Sequence, residues 1–268
     1  RIYFLQQWYG LADEALEDAI YDSQAMRDFV GIDLSIESVP DATTLLRFRH
    51  LLERHSLTQR IFEEINASLA ERGLFMREGT IVDATIIAAA PSTKNKAKQR
   101  DPAMKQTRKG NQWYFGMKAH IGVDAATGLT HSLVATSANQ ADITVAEQLL
   151  RDDKEPIYAD AGYTGLGKRL CGDDDTLPPL RIAARRSTIK KMEDGPEKQI
   201  KQRIEHCKAS IRAKVEHPFH VVKNLFGHRK VRYRGMEKNQ AQLFSLFALA
   251  NLVLAKRCYA TTDGVIAS

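Results

Sequence analysis

Apolar side chains recur at two different spacings along this chain, and the spacing changes near residue 79. Ahead of that point they fall every three to four positions, the period of one helix face. Residues 11–20 (LADEALEDAI) combine this spacing with strong helix formers. Residues 31–40 read as a loop, and Asp41 then stands as the N-cap of a helix over 43–52. A last helix is predicted over 57–71, stopped by Gly73. A basic helix after a loop fits a helix-turn-helix in which Arg47 and Arg49 would face DNA; it also fits a plain packed cluster of helices.

Beyond Gly79 the period shortens. Residues 80–87 (TIVDATII) are β-branched and predict a strand. Residues 113–124 alternate. Trp113, Phe115, Met117, Ala119, Ile121 and Val123 lie on one side, with Tyr114, Gly116, Lys118, His120, Gly122 and Asp124 on the other, the pattern of a half-buried strand. The turn DAATG leads into a partner strand over 129–136, which makes a hairpin. There follow a helix over 142–150, a strand over 156–160 ending in a turn at Gly162, and a strand over 180–184. A helical stretch runs from 197 to 226, and Pro218 must kink or restart it. The apolar run over 240–255 predicts a buried helix. This order predicts an α/β fold, a ribonuclease-H-like mixed sheet flanked by helices, preceded by a small all-helical domain. The expected boundaries are a helical region over 1–75, a candidate for DNA binding, the ribonuclease-H-like domain over 76–258 and a tail over 259–268.

Composition narrows the class. Of 268 residues, 43% are hydrophobic and 27% charged, which excludes a disordered or fibrous chain. The net charge of +6 permits a nucleic-acid partner without requiring one. Its distribution says more. Residues 91–110 (PSTKNKAKQRDPAMKQTRKG) carry Lys94, Lys96, Lys98, Arg100, Lys105, Arg108 and Lys109 against the single acid Asp101, with few large apolar groups. Such a segment is expected outside the core, either as a solvated loop or as an arm gripping phosphates. Cys171, Cys207 and Cys258 are too sparse for a disulfide framework or a cysteine zinc site, and read as reduced thiols of a cytoplasm. No signal peptide opens the chain, and the run over 243–255 is shorter than the roughly 20 residues of a membrane span. No membrane partner is expected. The chain does not start with Met, so its first residues are expected to be missing.

Two carboxylates interrupt apolar strands: Asp83 between Val82 and Ala84, and Asp160 after Tyr158 and Ala159. An ionised carboxylate in such surroundings is costly unless something pairs with it. Backbone donors could satisfy either one. Adjacent strands lie about 4.8 Å apart, however, so two strand-borne carboxylates can share a metal. Oxygen ligands alone suit Mg²⁺ or Mn²⁺. Glu216 offers a third carboxylate. Arg212, four residues before it, and Lys223, seven after, fall on the same helical stripe, which also reads as an ion pair on a solvated helix. His217 and His220 lack a third nitrogen or sulfur ligand and read as surface or DNA-facing groups. Lys118 and His120 share the polar side of the long strand and are expected to reach substrate.

Several longer motifs carry a resemblance. Residues 81–85 (IVDAT), 93–96 (TKNK), 100–102 (RDP), 109–124 (KGNQWYFGMKAHIGVD), 159–163 (ADAGY) and 208–223 (KASIRAKVEHPFHVVK), with 40–52 (PDATTLLRFRHLL) in the helical front, resemble the insertion-sequence-five (IS-five) family of DDE transposases. The resemblance implies a catalytic triad of Asp83, Asp160 and Glu216 holding two Mg²⁺ (or Mn²⁺) ions. It implies DNA contacts from Arg212, Lys223 and the basic segment. Its activity would be binding of double-stranded DNA at an element's terminal inverted repeats, cleavage there, and joining of 3′-hydroxyl ends to target DNA. The working form would be a homodimer or larger synaptic assembly on the bacterial nucleoid, in the cytoplasm. The related pattern Y-x2-R-x3-E-x6-K is met at Arg212, Glu216 and Lys223, with Ala209 in the tyrosine position. Two rival readings keep part of this: a nuclease that cleaves without joining, and a truncated, inhibitory DNA binder.

Overall fold

The computed structural model describes residues 1–94, 96, 98–151, 155–170 and 177–266, from 259 onward by backbone alone. Five helices come first: α1 (Ile2–Tyr9), α2 (Asp13–Asp22), α3 (Gln24–Val30), α4 (Ala42–Arg54) and α5 (Leu57–Glu71). Asp41 caps α4 as expected, its Oδ1 accepting from the Thr44 amide at 2.7 Å. Leu5, Leu16, Ile20, Val39 and Leu45 form a small apolar cluster among the first four helices. Phe62 and Leu69 of α5 instead join the main core beneath the sheet. The boundary expected near 75 is therefore bridged by α5, because its apolar face is buried against the rest of the chain.

Six strands build one mixed sheet: β1 (Thr80–Ala88), β2 (Lys105–Lys109), β3 (Gln112–Asp124), β4 (Thr130–Ser137), β5 (Ile157–Ala159) and β6 (Leu180–Ile182). The path runs β2-β3-β1-β5-β6, with β4 also on β3. β3 is antiparallel to β1, β2 and β4, while β1, β5 and β6 run parallel. Three antiparallel strands followed by parallel ones, with helices on both faces, make the ribonuclease-H-like arrangement. After β5 come the short helices α6 (Leu166–Leu170) and α7 (Arg186–Lys190), then α8 (Pro196–Arg212), α9 (Glu216–His220) and α10 (Met236–Ile266). One face of the sheet packs on α5, α9 and α10 through residues such as Ile81, Ile121, Phe219 and Phe247. The other packs Val82, Ile157 and Ala159 against Leu149, Tyr163 and Leu166.

The sequence reading is corrected at four places. Residues 105–109 are not loop: they form β2, an edge strand whose side chains are mostly exposed, which hides the apolar signal. Just before it Met104 is buried in the core, and Asp101 Oδ2 accepts from the Gly235 amide at 2.7 Å, so the basic segment is anchored at its end. β3 is not half-buried: from Gly116 to Asp124 every residue but Lys118 is buried, because both faces are covered. The helix expected over 142–150 is two 3-10 turns, Asp142–Thr144 and Ala146–Leu149. The restart expected at Pro218 is present: α8 gives way to a 3-10 turn (Ala213–Val215), α9 and a π turn (Val221–Leu225), since proline lacks an amide hydrogen and crowds the preceding turn. Finally, α10 runs to Ile266, through the expected tail. By length and composition its Met236–Cys258 stretch could cross a membrane. Leu243, Leu246, Phe247, Ala248 and Ala250 are nevertheless buried in the protein core, which explains that composition. Cys171 lies outside the described residues; neither Cys207 nor Cys258 forms a disulfide.

Candidate active site

Strand register brings the first two carboxylates together. β1 and β5 pair Thr80 with Ile157 and Ile81 with Tyr158. The same offset, continued for two residues, sets Asp83 level with Asp160 at the carboxyl end of β5. Level residues on neighbouring parallel strands project to the same face. That face is the one of Ile81 and Tyr158, which packs toward α9. Glu216 opens α9 there and is exposed, while Asp83 and Asp160 are half-buried.

Each aspartate is half tied by the backbone. Asp83 Oδ1 accepts from the Ala84 amide at 2.7 Å. Asp160 Oδ1 accepts from the Gly162 amide at 2.8 Å, capping the 3-10 turn Ala161–Tyr163. A Cβ at position 162 would stand 2.9 Å from Asp160 Oδ1, so any other residue there would push the carboxylate from its place. Burial pushes the Asp83 carboxyl up to about 6, and repulsion from Asp160 and then Glu216 adds to it; the Ala84 hydrogen bond and the Arg212 charge oppose the rise. Asp160 and Glu216 thus both act on Asp83, and the Arg212 charge offsets part of their effect.

Lys223 comes from the π turn. Its Nζ donates to Thr85 Oγ1 at 2.6 Å and to the Ile86 carbonyl at 2.8 Å, which clamps it to the strand of Asp83. Burial, then the nearby Lys109, lowers its pKa, while Glu216 opposes. Arg212, at the end of α8, is half-buried within the field of Asp83. A cleft of about 470 Å³ opens beside these groups, lined by Thr85, Tyr114, Glu216, Lys223, Asn224 and Arg229. Sequence reading missed Thr85, Tyr114 and Arg229; only Thr85, two residues from Asp83 on the same side of a strand, carried a usable signal. A larger cavity of about 590 Å³, among His50, Arg54, Gln59 and Lys238, contains none of the three acids.

The remaining expected contacts divide. Lys94, Lys96, Lys98, Arg108, Lys109 and Arg47 are exposed. His120 is not a substrate-facing group. It is fully buried on the opposite face of the sheet, its Nε2 2.7 Å from Thr136 Oγ1, and burial lowers its pKa to about 4. Lys118 lies beside it and donates to Asp142 Oδ1 at 2.8 Å and to the Gln140 carbonyl at 2.7 Å, so it too is turned from the acids. Both belong to the side of β3 opposite Ile121. Arg49 is likewise no surface contact: it is buried, and its Nη2 donates to Asp13 Oδ2 at 2.6 Å. Helix spacing could not separate it from Arg47, because the burying partner, Asp13, is remote in sequence.

The donor set suits a divalent cation: oxygen only, with no hydrogen bond among the described residues to the second oxygen of either aspartate, and with Asp83 in the field of two further acids. Among the described residues no three His, Cys, Asp or Glu side chains stand close enough to form a ready-made cage. The exposed Glu216 would have to swing inward. A family model described as a transposase DDE domain matches residues 74–252, and one described as a transposase domain (DUF772) matches residues 1–51. No solved structure matches the chain.

Proposed function

The chain belongs to the DDE transposase family, and on that premise we propose that Asp83, Asp160 and Glu216 carry metal-dependent phosphoryl transfer on DNA. The reaction is cleavage at the ends of an insertion sequence of the IS-five branch, followed by joining of the freed 3′-hydroxyl ends to target DNA. The observation that carries this reading is the register of β1 and β5, which levels two half-buried aspartates on the face covered by the helix of Glu216. Two divalent ions held by these residues would activate the attacking oxygen and stabilise the leaving one.

The chain's own groups prepare that chemistry. The Ala84 and Gly162 amides fix one oxygen of each aspartate and leave the other free to bind. An ammonium has three hydrogens; Lys223 uses two on β1, so one remains to grip a phosphate oxygen at a fixed point. Arg212 tempers the acids and can contact the neighbouring phosphate. The exposed Lys94, Lys96, Lys98, Arg108 and Lys109 offer basic groups to double-stranded DNA. Joining two ends requires two active sites in one assembly, so the working form is at least a dimer on DNA.

The test is incubation of the protein with linear DNA bearing the element's ends and Mg²⁺. New 3′-hydroxyl ends and joined products support the proposal. Cleavage without joining supports the nuclease alternative, and binding without cleavage supports the inhibitory one.

A further inference from the structure

The β2–β3 hairpin leaves an aromatic group unused by the reading above. Its two-residue turn is Gly110–Asn111, with Gly110 at φ +61°, a backbone region that favours glycine and suits a tight hairpin. Lys109 pairs with Gln112, and Arg108 pairs with Trp113 in the next rung. Trp113 is 64% exposed although it is the largest apolar side chain of the hairpin. Single exposed apolar side chains are ordinary, but tryptophan, a large apolar body with a polar edge, is the type most enriched at contact surfaces, and here it stands on a basic ribbon.

The surroundings state what that partner is. From Pro102 to Val123 there is no acidic residue, and Lys105, Arg108 and Lys109 on the ribbon are all exposed. The Arg108 guanidinium is held in place, its Nε donating to the Gly110 carbonyl at 3.0 Å and its Nη2 to Asn111 Oδ1 at 3.3 Å. The hairpin adjoins the acids: Tyr114 lines the cleft of Glu216, and the charge of Lys109, beside the turn, acts on Lys223. A polyanion crossing the cleft must therefore pass the ribbon. A two-stranded ribbon is narrow enough to enter a DNA groove, and large apolar side chains inserted between base pairs unstack and kink the duplex.

We propose that Trp113 is a wedge that enters between base pairs of duplex DNA lying over the active site, with Arg108 and Lys109 holding the flanking phosphates. It thereby favours DNA steps that kink easily and sets where along the DNA the site acts. The inference rests on the reading that DNA occupies this cleft. It is tested without the chemistry, so the two can fail separately.

The chain has two tryptophans, Trp113 and the less exposed Trp8. In the full-length Trp8→Phe protein Trp113 is the sole tryptophan reporter. Saturation with a duplex, followed independently by anisotropy of labelled DNA, should quench its emission by about half or more, as stacking on bases requires. A duplex with one central mismatch, which costs less to unstack, should bind about tenfold tighter than its paired counterpart. Trp113→Ala should reduce that preference to less than about twofold, and Trp113→Phe should restore part of it. Unchanged emission at saturation would overturn the proposal, as would a Trp113→Ala protein that keeps the mismatch preference. A Trp113→Ala protein that changes its oligomeric state in the absence of DNA and nothing else would assign the residue to a protein interface and would overturn it too. Cleavage by wild type together with unchanged emission would refute the wedge and leave the proposed reaction standing. Quenching together with no cleavage would do the reverse.

Discussion

Asp83→Asn should make the metal-free protein more stable while disabling it. The Asp83 carboxyl is raised from an ordinary 3.8 to about 6, chiefly by burial. One unit corresponds to about 1.36 kcal/mol, so the ionised group costs the fold at most about 3 kcal/mol at neutral pH. Asparagine keeps an oxygen for the Ala84 amide but brings an NH₂ group that also needs partners, so a net gain of about 1–2 kcal/mol is the reasonable figure. For a chain of this size that is a rise of roughly 2–8 °C in Tm. The sign follows from the direction of the shift. A raised folded-state pKa favours the fold in acid, fully so below the unfolded value, and that benefit is lost as pH rises through about 6. The gap between variant and wild type should therefore be widest above about pH 7 and close as pH falls toward about 4. Thermal melts in EDTA across this range measure it. Added Mg²⁺ should then stabilise wild type and leave the variant almost unmoved, since a ligand stabilises only the fold that binds it. A variant that melts at or below wild type near neutrality, or a gap independent of pH, would refute the reasoning.

Three further outcomes are expected. Gly162→Ala puts a Cβ within 2.9 Å of Asp160 Oδ1, so DNA cleavage should fall by on the order of tenfold or more while the melting temperature changes little. Arg49→Ala should cost about 2 kcal/mol in a melt, less than a fully buried pair because Asp13 is partly open to water; Arg47→Ala should leave stability unchanged and weaken DNA binding. The Arg49 deficit should shrink in acid, because Arg49 holds the Asp13 carboxyl below its usual range and that benefit is lost once Asp13 is protonated. Replacing Lys94, Lys96 and Lys98 together with Ala should barely affect stability and should lower the log–log salt slope of binding by up to about 2.7, at about 0.9 per lost phosphate contact; an unchanged slope, measured on a fixed duplex, would leave this segment a solvated loop.

Local pattern made much of this molecule readable. The Asp41 cap, the bounds of α5, the strand position of Asp83 and the place of Asp160 just past β5 all lie in short-range spacing, because capping and period-two alternation are local effects. What the sequence hid depends on remote partners. β2 is exposed and basic, and only the Gly110–Asn111 turn between it and β3 marked the hairpin. His120 and Lys118 read as polar positions that reach substrate, but the 3-10 turns over 142–149 cover that side of β3 and pair Lys118 with Asp142. Arg49 is taken out of the surface by Asp13, 36 positions away. Single-helix spacing linked Arg212, Glu216 and Lys223, yet the connection is a 3-10 turn, a short helix and a π turn. What brings these three to Asp83 is packing on β1, not one continuous helix face.

The most direct test compares wild type and Asp160→Asn on the same labelled duplex bearing the element's ends, with binding and cleavage measured together in Mg²⁺. The substitution removes a charge that a metal needs but preserves shape, and binding rests on the lysines and arginines. Asp160→Asn should bind with an affinity within about twofold of wild type and produce no cleaved strand. Cleavage retained by the variant, or binding and cleavage lost together, would contradict the assignment of Asp160 to metal-dependent phosphoryl transfer.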